Sequence, residues 1–250
     1  MRLQTTLGLF SLCAALLLPA GAWAAADADN TFETTLANGM RVVVREDHRA
    51  PTAVQMVWYR VGSIDERDGV TGVAHVTEHM MFKGTPSVGP GEFNRRVAAV
   101  GGRDNAFTST DYTAYFQQVP ATQLKTVMAL EADRMRHLTL EPAGYSKEIQ
   151  VIMEERRMRT DDQSSARVHE AMNAVAWQAH PYRRPVIGWM SDLEQMTVAD
   201  VRDWYRRWYV PNNATLVVVG DVNHQQVFGW ARQTYGAIPA RALPERKQFE

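Results

Sequence analysis

Within the five residues His75-Val76-Thr77-Glu78-His79 the chain places two imidazoles and a carboxylate in little more than one helical turn. On a helix, residues four apart share a face, with Cβ atoms about 6 Å apart, so both rings can aim a nitrogen at one point. Zinc takes such nitrogens at about 2.0 to 2.1 Å. Glu78 lies beside that face without being needed as a ligand. There it can take a proton from a water activated by the metal and pass it to a leaving amine. Amide hydrolysis requires those two operations. The same spacing also arises by accident on solvated helices, so a third ligand has to be found.

The only cysteine, Cys13, precedes the globular part of the chain, which leaves His, Asp and Glu as the available ligand types. His48, His137, His169, His180 and His224 have no comparable partner spacing and read as ordinary surface or core histidines. A helical pattern over 145–160 offers more. It carries Glu148, Glu154 and Glu155 among Ile149, Val151, Ile152 and Met153, and a carboxylate close to buried positions needs a reason. Glu148 and Glu155 are two turns apart on one face, roughly 10 Å from each other. One can ligate a metal while the other holds a ligand histidine or the substrate. Spacing leaves Glu154 and Glu155 undecided, and a plain charged helix is the alternative reading.

These residues must be positioned by a scaffold. Residues 31–36 and 41–46 are β-rich runs around Asn38-Gly39, a strong hairpin signal. Residues 52–61 read as a central strand. Helical spacing follows over 73–82 and 92–100, closed by Gly101-Gly102, and then two short strands, 103–109 and 112–119, with Pro120 forbidding continuation. Long helices are predicted over 122–137 and 145–160, separated by Glu141-Pro142-Ala143-Gly144, and a third over 164–177. Residues 191–196 are irregular or one helical turn, 197–209 a helix capped by Thr197 with Asp200 three residues on, 214–219 a buried strand and 223–235 the last helix. Strands and helices come in blocks. That predicts an α+β fold, a mainly antiparallel β-sheet with helices packed on one face.

With 45% hydrophobic and 22% charged residues, the 250-residue chain is long enough to bury a core. Its formal net charge of −1, with both signs interspersed, excludes a basic field for nucleic acid. Residues 1–24 have the pattern of a secretory signal: one early Arg, an apolar run over 7–18, Pro19, then Ala22-Trp23-Ala24 with cleavage after Ala24. The competing reading is a membrane anchor. The run is well short of the roughly 20 residues needed to span a bilayer, so export to the periplasm or medium is expected, with no stable anchor. Residues 25–240 are then a peptidase domain with the metal site, and 241–250 the start of an interdomain linker.

The inverted motif together with Glu155 resembles the pitrilysin family of zinc metallopeptidases, the M16 type that includes mitochondrial processing peptidase and insulin-degrading enzyme. Val61-Gly62-Ser63 with Glu66 is similar to the family's segment before the motif, and Met80-Met81-Phe82-Lys83-Gly84-Thr85 to its continuation. Gly101-Gly102, Asn105-Ala106-Phe107-Thr108 and Asp111-Tyr112-Thr113 resemble its substrate-facing strand. Glu148 to Glu155 resembles its third-ligand helix, and Pro211-Asn212-Asn213-Ala214 with Val219-Gly220-Asp221 completes the likeness. The resemblance implies one Zn2+ held by His75, His79 and Glu155, Glu78 as the catalytic base, and Glu148 as an outer-shell glutamate. It further implies that a peptide or unfolded segment adds as a strand along Asn105, Ala106 and Phe107. Family members have two similar halves, and a tyrosine and an arginine from the second help hold the substrate and oxyanion. This sequence resembles the first half only. A second homologous half, or a partner subunit in a homo- or heterodimer, is therefore expected, and the chain alone is expected to lack part of the catalytic chamber.

Two other classes of function compete with an exported endopeptidase. A non-catalytic subunit would bind peptide or stabilise a partner, a role against which the intact Glu78 argues. A metal-storage or transport protein would hold exchangeable zinc without hydrolysing peptides.

Overall fold

The computed structural model describes residues 30–246. The predicted signal segment, 1–24, and the last residues of the predicted linker lie outside them. Strand β1 (Thr31–Thr35) turns through Asn38-Gly39 into β2 (Arg41–Glu46), the two pairing antiparallel. Gly39 adopts the left-handed φ of 85° that this turn requires, and Asn38 Oδ1 accepts the Met40 N–H at 3.2 Å. β3 (Thr52–Tyr59) is central. The remaining strands are β4 (Arg103–Thr108), β5 (Thr113–Pro120) and β6 (Ala214–Gly220).

The sheet runs β1-β2-β6-β3-β5-β4, with every neighbouring pair antiparallel except β2 and β6. Alternation decides which face is covered. Val42, Val44, Ala53, Val57, Tyr59, Tyr115, Val119, Leu216 and Val218 are buried in one core with the helices, while on the opposite face Val43, Val54, Met56, Trp58, Phe116, Gln118, Val217 and Val219 are half-buried or exposed. The fold is α+β, as expected, and β4 is an edge strand.

The helices are α1 (Val73–Met80), α2 (Glu92–Ala99), α3 (Leu124–His137), α4 (Pro142–Arg156), α5 (Ser164–Ala176), α6 (Met190–Gln195), α7 (Val198–Trp208) and α8 (His224–Thr234). Thr197 caps α7 through the predicted reciprocal contact with Asp200. Several boundaries differ from expectation. α4 starts at Pro142, three residues early, because proline at the first turn has no N–H to lose and is set at a helical φ. Its far end leaves the α geometry after Arg156 and runs on as a π-helical turn, Arg157–Asp161. β3 stops at Tyr59, two residues short. Pro120 does not lie outside the sheet but is the last residue of β5, opposite Thr52, a strand end where proline is tolerated.

Candidate metal centre

α1 carries His75, Glu78 and His79, while α4 carries Glu148 and Glu155. The two helices pack against each other. Val73, Ala74, Val76, Thr77 and Met80 bury the opposite side of α1 in the core, so its remaining face, with both imidazoles, turns to α4. Ile149, Ile152 and Met153 do the same for α4. Periodicity thus aims the ligand candidates: burying the apolar stripes leaves the His pair and the carboxylates face to face.

Glu155 Oε2 lies 3.7 Å from His75 Nε2 and 3.5 Å from His79 Nε2, and the three atoms all fall within 4.8 Å of one another. Donors at about 2.0 to 2.1 Å around a tetrahedral ion stand roughly 3.3 to 3.4 Å apart, so little adjustment is needed. Glu154, the alternative that spacing left open, points outward to Arg157 at 2.9 Å. The geometry brings Glu155 to the histidines and leaves Glu154 in solvent.

The surrounding contacts set tautomer and charge. Glu148 Oε1 lies 2.8 Å from His79 Nδ1, a contact in which that nitrogen donates and leaves the Nε2 lone pair directed at Glu155. Lys83 pairs with the other Glu148 oxygen. Burial works to raise the Glu148 carboxyl, but the hydrogen bonds from His79 and Lys83 outweigh it and hold the group below its ordinary value. Burial, with His79 and Arg159 nearby, pushes His75 down to about 3, so its ring is neutral and able to donate a lone pair at neutral pH. Arg159 Nη1 holds the second oxygen of Glu155 at 3.0 Å. Two imidazoles and a carboxylate form a donor set suited to zinc.

Glu78 sits beside this cluster. Its Oε2 accepts a hydrogen bond from Thr108 Oγ1 at 2.5 Å, which ties the base candidate to the end of the edge strand. Burial raises its carboxyl above the ordinary range, countered by that hydrogen bond and by His79. On β4, Asn105 is exposed, and its Oδ1 accepts the N–H of Ala106 at 2.9 Å. Ala106 packs on the core, and Phe107 lies edge-on to Trp58.

Lys83, Thr108 and Arg159 were not singled out as site residues from sequence. Arg159 had a signal, since it follows Glu155 by four residues. Thr108 had only its place in the resemblance to the substrate-facing strand, and nothing in the sequence pointed to its contact with Glu78, because the packing that brings β4 to α1 is long-range. None of the scattered histidines joins the cluster. His48 and His224 instead meet Asp221 and Glu46 at 2.6 and 2.8 Å at the far end of β2.

Residues 41–189 match the family model described as Insulinase (Peptidase family M16). The chain belongs to the M16 peptidase family. Residues 195–250 match a further M16 model, described as the Peptidase M16 inactive domain. Among M16 relatives, the chain is 36% identical to the zinc protease PqqE of Helicobacter pylori over 223 residues, covering 86% of this chain and 50% of that protein. A crystal structure of a protease from Helicobacter pylori superposes with a TM-score of 0.84 at 35% identity, covering 86% of this chain and 53% of that one. The first half of the periplasmic protease PqqL from Escherichia coli superposes with a TM-score of 0.80 at 29% identity, covering 88% of this chain and 48% of that one. The chain spans about half the length of PqqE and about a quarter of full-length PqqL. Among the described residues, no helix is long and apolar enough to cross a membrane.

Proposed function

We propose that this chain is the metal-bearing half of an exported zinc endopeptidase that cleaves peptides or unfolded segments. The observation that carries the reading is the convergence of His75 Nε2, His79 Nε2 and Glu155 Oε2, with Glu78 alongside. These three residues would hold one zinc ion. Bound zinc supplies Lewis acidity, polarising the scissile carbonyl and lowering the pKa of an attacking water toward about 7.

The chain's own residues supply the rest. Glu78 takes the proton of the attacking water and delivers it to the leaving nitrogen, and its raised affinity for protons suits both transfers. Thr108 fixes one oxygen of Glu78 and leaves Oε1 for that work. Glu148 holds His79 in the tautomer that presents Nε2, with Lys83 balancing its charge. The peptide adds as a strand to β4 along Asn105, Ala106 and Phe107, its backbone replacing the Asn105 side chain as partner of the Ala106 N–H. Because Thr108 joins that strand to Glu78, a bound backbone runs past the base.

Export is supported by the signal pattern in residues 1–24 and by the periplasmic PqqL as a structural neighbour. The domain is read as 25–240, with a linker beginning at 241 and a second half, or a partner subunit, completing the chamber. The intact Glu78 favours catalysis over a purely binding subunit. Metal analysis combined with a peptide-cleavage assay, on this chain and on a form carrying a second M16 half, tests the reading. One zinc per chain, and cleavage that depends on the second half, are expected. Absence of stoichiometric zinc would overturn the reading.

A further inference from the structure

Two helices supply the proposed ligands, and ligand atoms must be placed to within about 0.2 Å for a metal site to form. Apolar side chains packed between helices do not by themselves fix the offset of one axis against the other that tightly. A polar junction at the start of α1 and the end of α4 does so.

Glu66 is buried, at 5% exposure, and directly follows the 3-10 turn Ser63–Asp65, six residues before α1 begins at its N-cap Gly72. Its Oε2 accepts the Gly72 N–H at 2.8 Å and its Oε1 the Ala74 N–H at 2.9 Å, one residue before His75. Gly72, the N-cap of α1, has no side chain to offer, so Glu66 caps the helix from six residues upstream. Arg184 Nη1 in turn donates to the Glu66 carbonyl at 2.7 Å. Thr71 N–H and Oγ1 donate to Asp192 Oδ2 at 3.0 and 2.6 Å.

At the centre of this junction Gly72 and Gly188 meet backbone to backbone. A Cβ on Gly72 would lie 2.6 Å from Ile187 O, and one on Gly188 2.4 Å from Thr71 O, so neither position admits a side chain. Both also have left-handed φ, 87° and 88°. The second helix joins at the same residue. Arg156, directly after Glu155, is buried, and its Nη1 donates to the Gly188 carbonyl at 2.8 Å. Glu170 of α5 fixes the guanidinium through two contacts of 2.9 Å.

We infer that residues 184–192 form a clamp, seated on Gly188, through which Glu66 and Arg156 act as positioning residues that set the distance between the His75/His79 pair and Glu155. The clamp rests on the metal reading given above. Neither residue touches the reacting atoms. Glu66 fixes where α1 begins, Arg156 fixes where α4 ends, and both are referenced to the same stretch of backbone.

The test is zinc affinity, measured on the full chain by competition with a chromogenic chelator, for wild type, Glu66→Gln, Arg156→Lys and the double variant. Melting of the metal-free proteins is followed in parallel. Gln offers one acceptor where the carboxylate offers two, and Lys cannot span Gly188 and Glu170 together. Each single variant is expected to bind zinc about 10- to 100-fold more weakly. The double variant should lose less than the product of the two, because both act through one junction. Affinities within twofold of wild type, with or without a lower melting temperature, would overturn the clamp and leave a merely structural role. Losses that multiply would overturn the shared junction. Should Glu66→Gln fail to fold, Arg156→Lys carries the same comparison. A wild-type chain that takes up no zinc would overturn the ligand assignment itself, an outcome distinct from variants that bind as well as a zinc-binding wild type.

Discussion

Two buried polar clusters among the described residues, the Glu131–Arg134 pair and the His75–His79–Glu155 group, are built on opposite terms. In one, Glu131 accepts from Arg134 Nε at 2.9 Å and Nη2 at 2.5 Å, and from Gln117 Nε2 at 2.9 Å, while Gln55 bridges Gln117 to the Val127 carbonyl. The Arg134 guanidinium lies over Phe82, Phe93 and Tyr115, with Cζ 4.2 to 4.9 Å from the ring centroids. Charge is cancelled within the protein. In the other, the Nε2 atoms of His75 and His79 face Glu155 Oε2, and burial keeps His75 neutral. His79, whose Nδ1 donates to Glu148, turns an Nε2 lone pair toward Glu155 Oε2. The charges of the closed cluster are paired within the protein, though Arg134 Nη1 and Gln55 Oε1 find no hydrogen-bond partner, whereas a cluster of converging acceptors is arranged for a cation from outside.

That contrast can be broken at either cluster. The largest stability loss belongs to the closed one. Arg134→Met strands a fully buried carboxylate and should lower the unfolding free energy by about 3 to 5 kcal/mol in urea titrations, while the folded fraction keeps its zinc affinity within a few-fold. A loss under about 1 kcal/mol would show that the pair is not what holds this cluster. At the open cluster, Glu148→Gln should cost far less stability but weaken zinc about 10- to 100-fold, since a neutral amide oxygen holds His79 Nδ1–H less strongly than the carboxylate and no longer pairs with Lys83. Unchanged zinc affinity would remove Glu148 from the centre.

The smallest effect falls on a pair in water. His48 is held above its ordinary value mainly by its hydrogen bond to Asp221. Its folded-state value is raised, so its contribution is fully present below about pH 6.5 and is lost as pH rises through the raised value. An NMR titration should place His48 above 6.5 and return it toward that value in Asp221→Asn. No change on that substitution would discard the pairing.

How much of this was legible in the sequence differs between the same two clusters. The metal centre depends on helical spacing, so His75, Glu78 and His79 stood out. Glu155 needed the family resemblance, because one step along α4 separates a residue facing the histidines from one facing solvent. The closed cluster was invisible. Glu131 and Arg134 look like a solvated i, i+3 pair, yet their side chains are 0% and 2% exposed, because β3 and β5 deliver Gln55 and Gln117 beneath them. Strand alternation gave the covered face of the sheet, but the order β1-β2-β6-β3-β5-β4 and the meeting of Gly72 with Gly188 come from long-range packing that local pattern does not encode.

Binding the ion and moving the proton are assigned here to different residues of one short helix. The direct measurement is zinc content and peptide cleavage, read on the same preparations of His75→Ala and Glu78→Gln in a form carrying both M16 halves. His75→Ala should lose zinc and cleavage together. Glu78→Gln should keep one zinc per chain while cleavage falls by about 100-fold or more. Cleavage at the wild-type rate in Glu78→Gln would remove Glu78 as the base, and undiminished zinc in His75→Ala would remove His75 as a ligand.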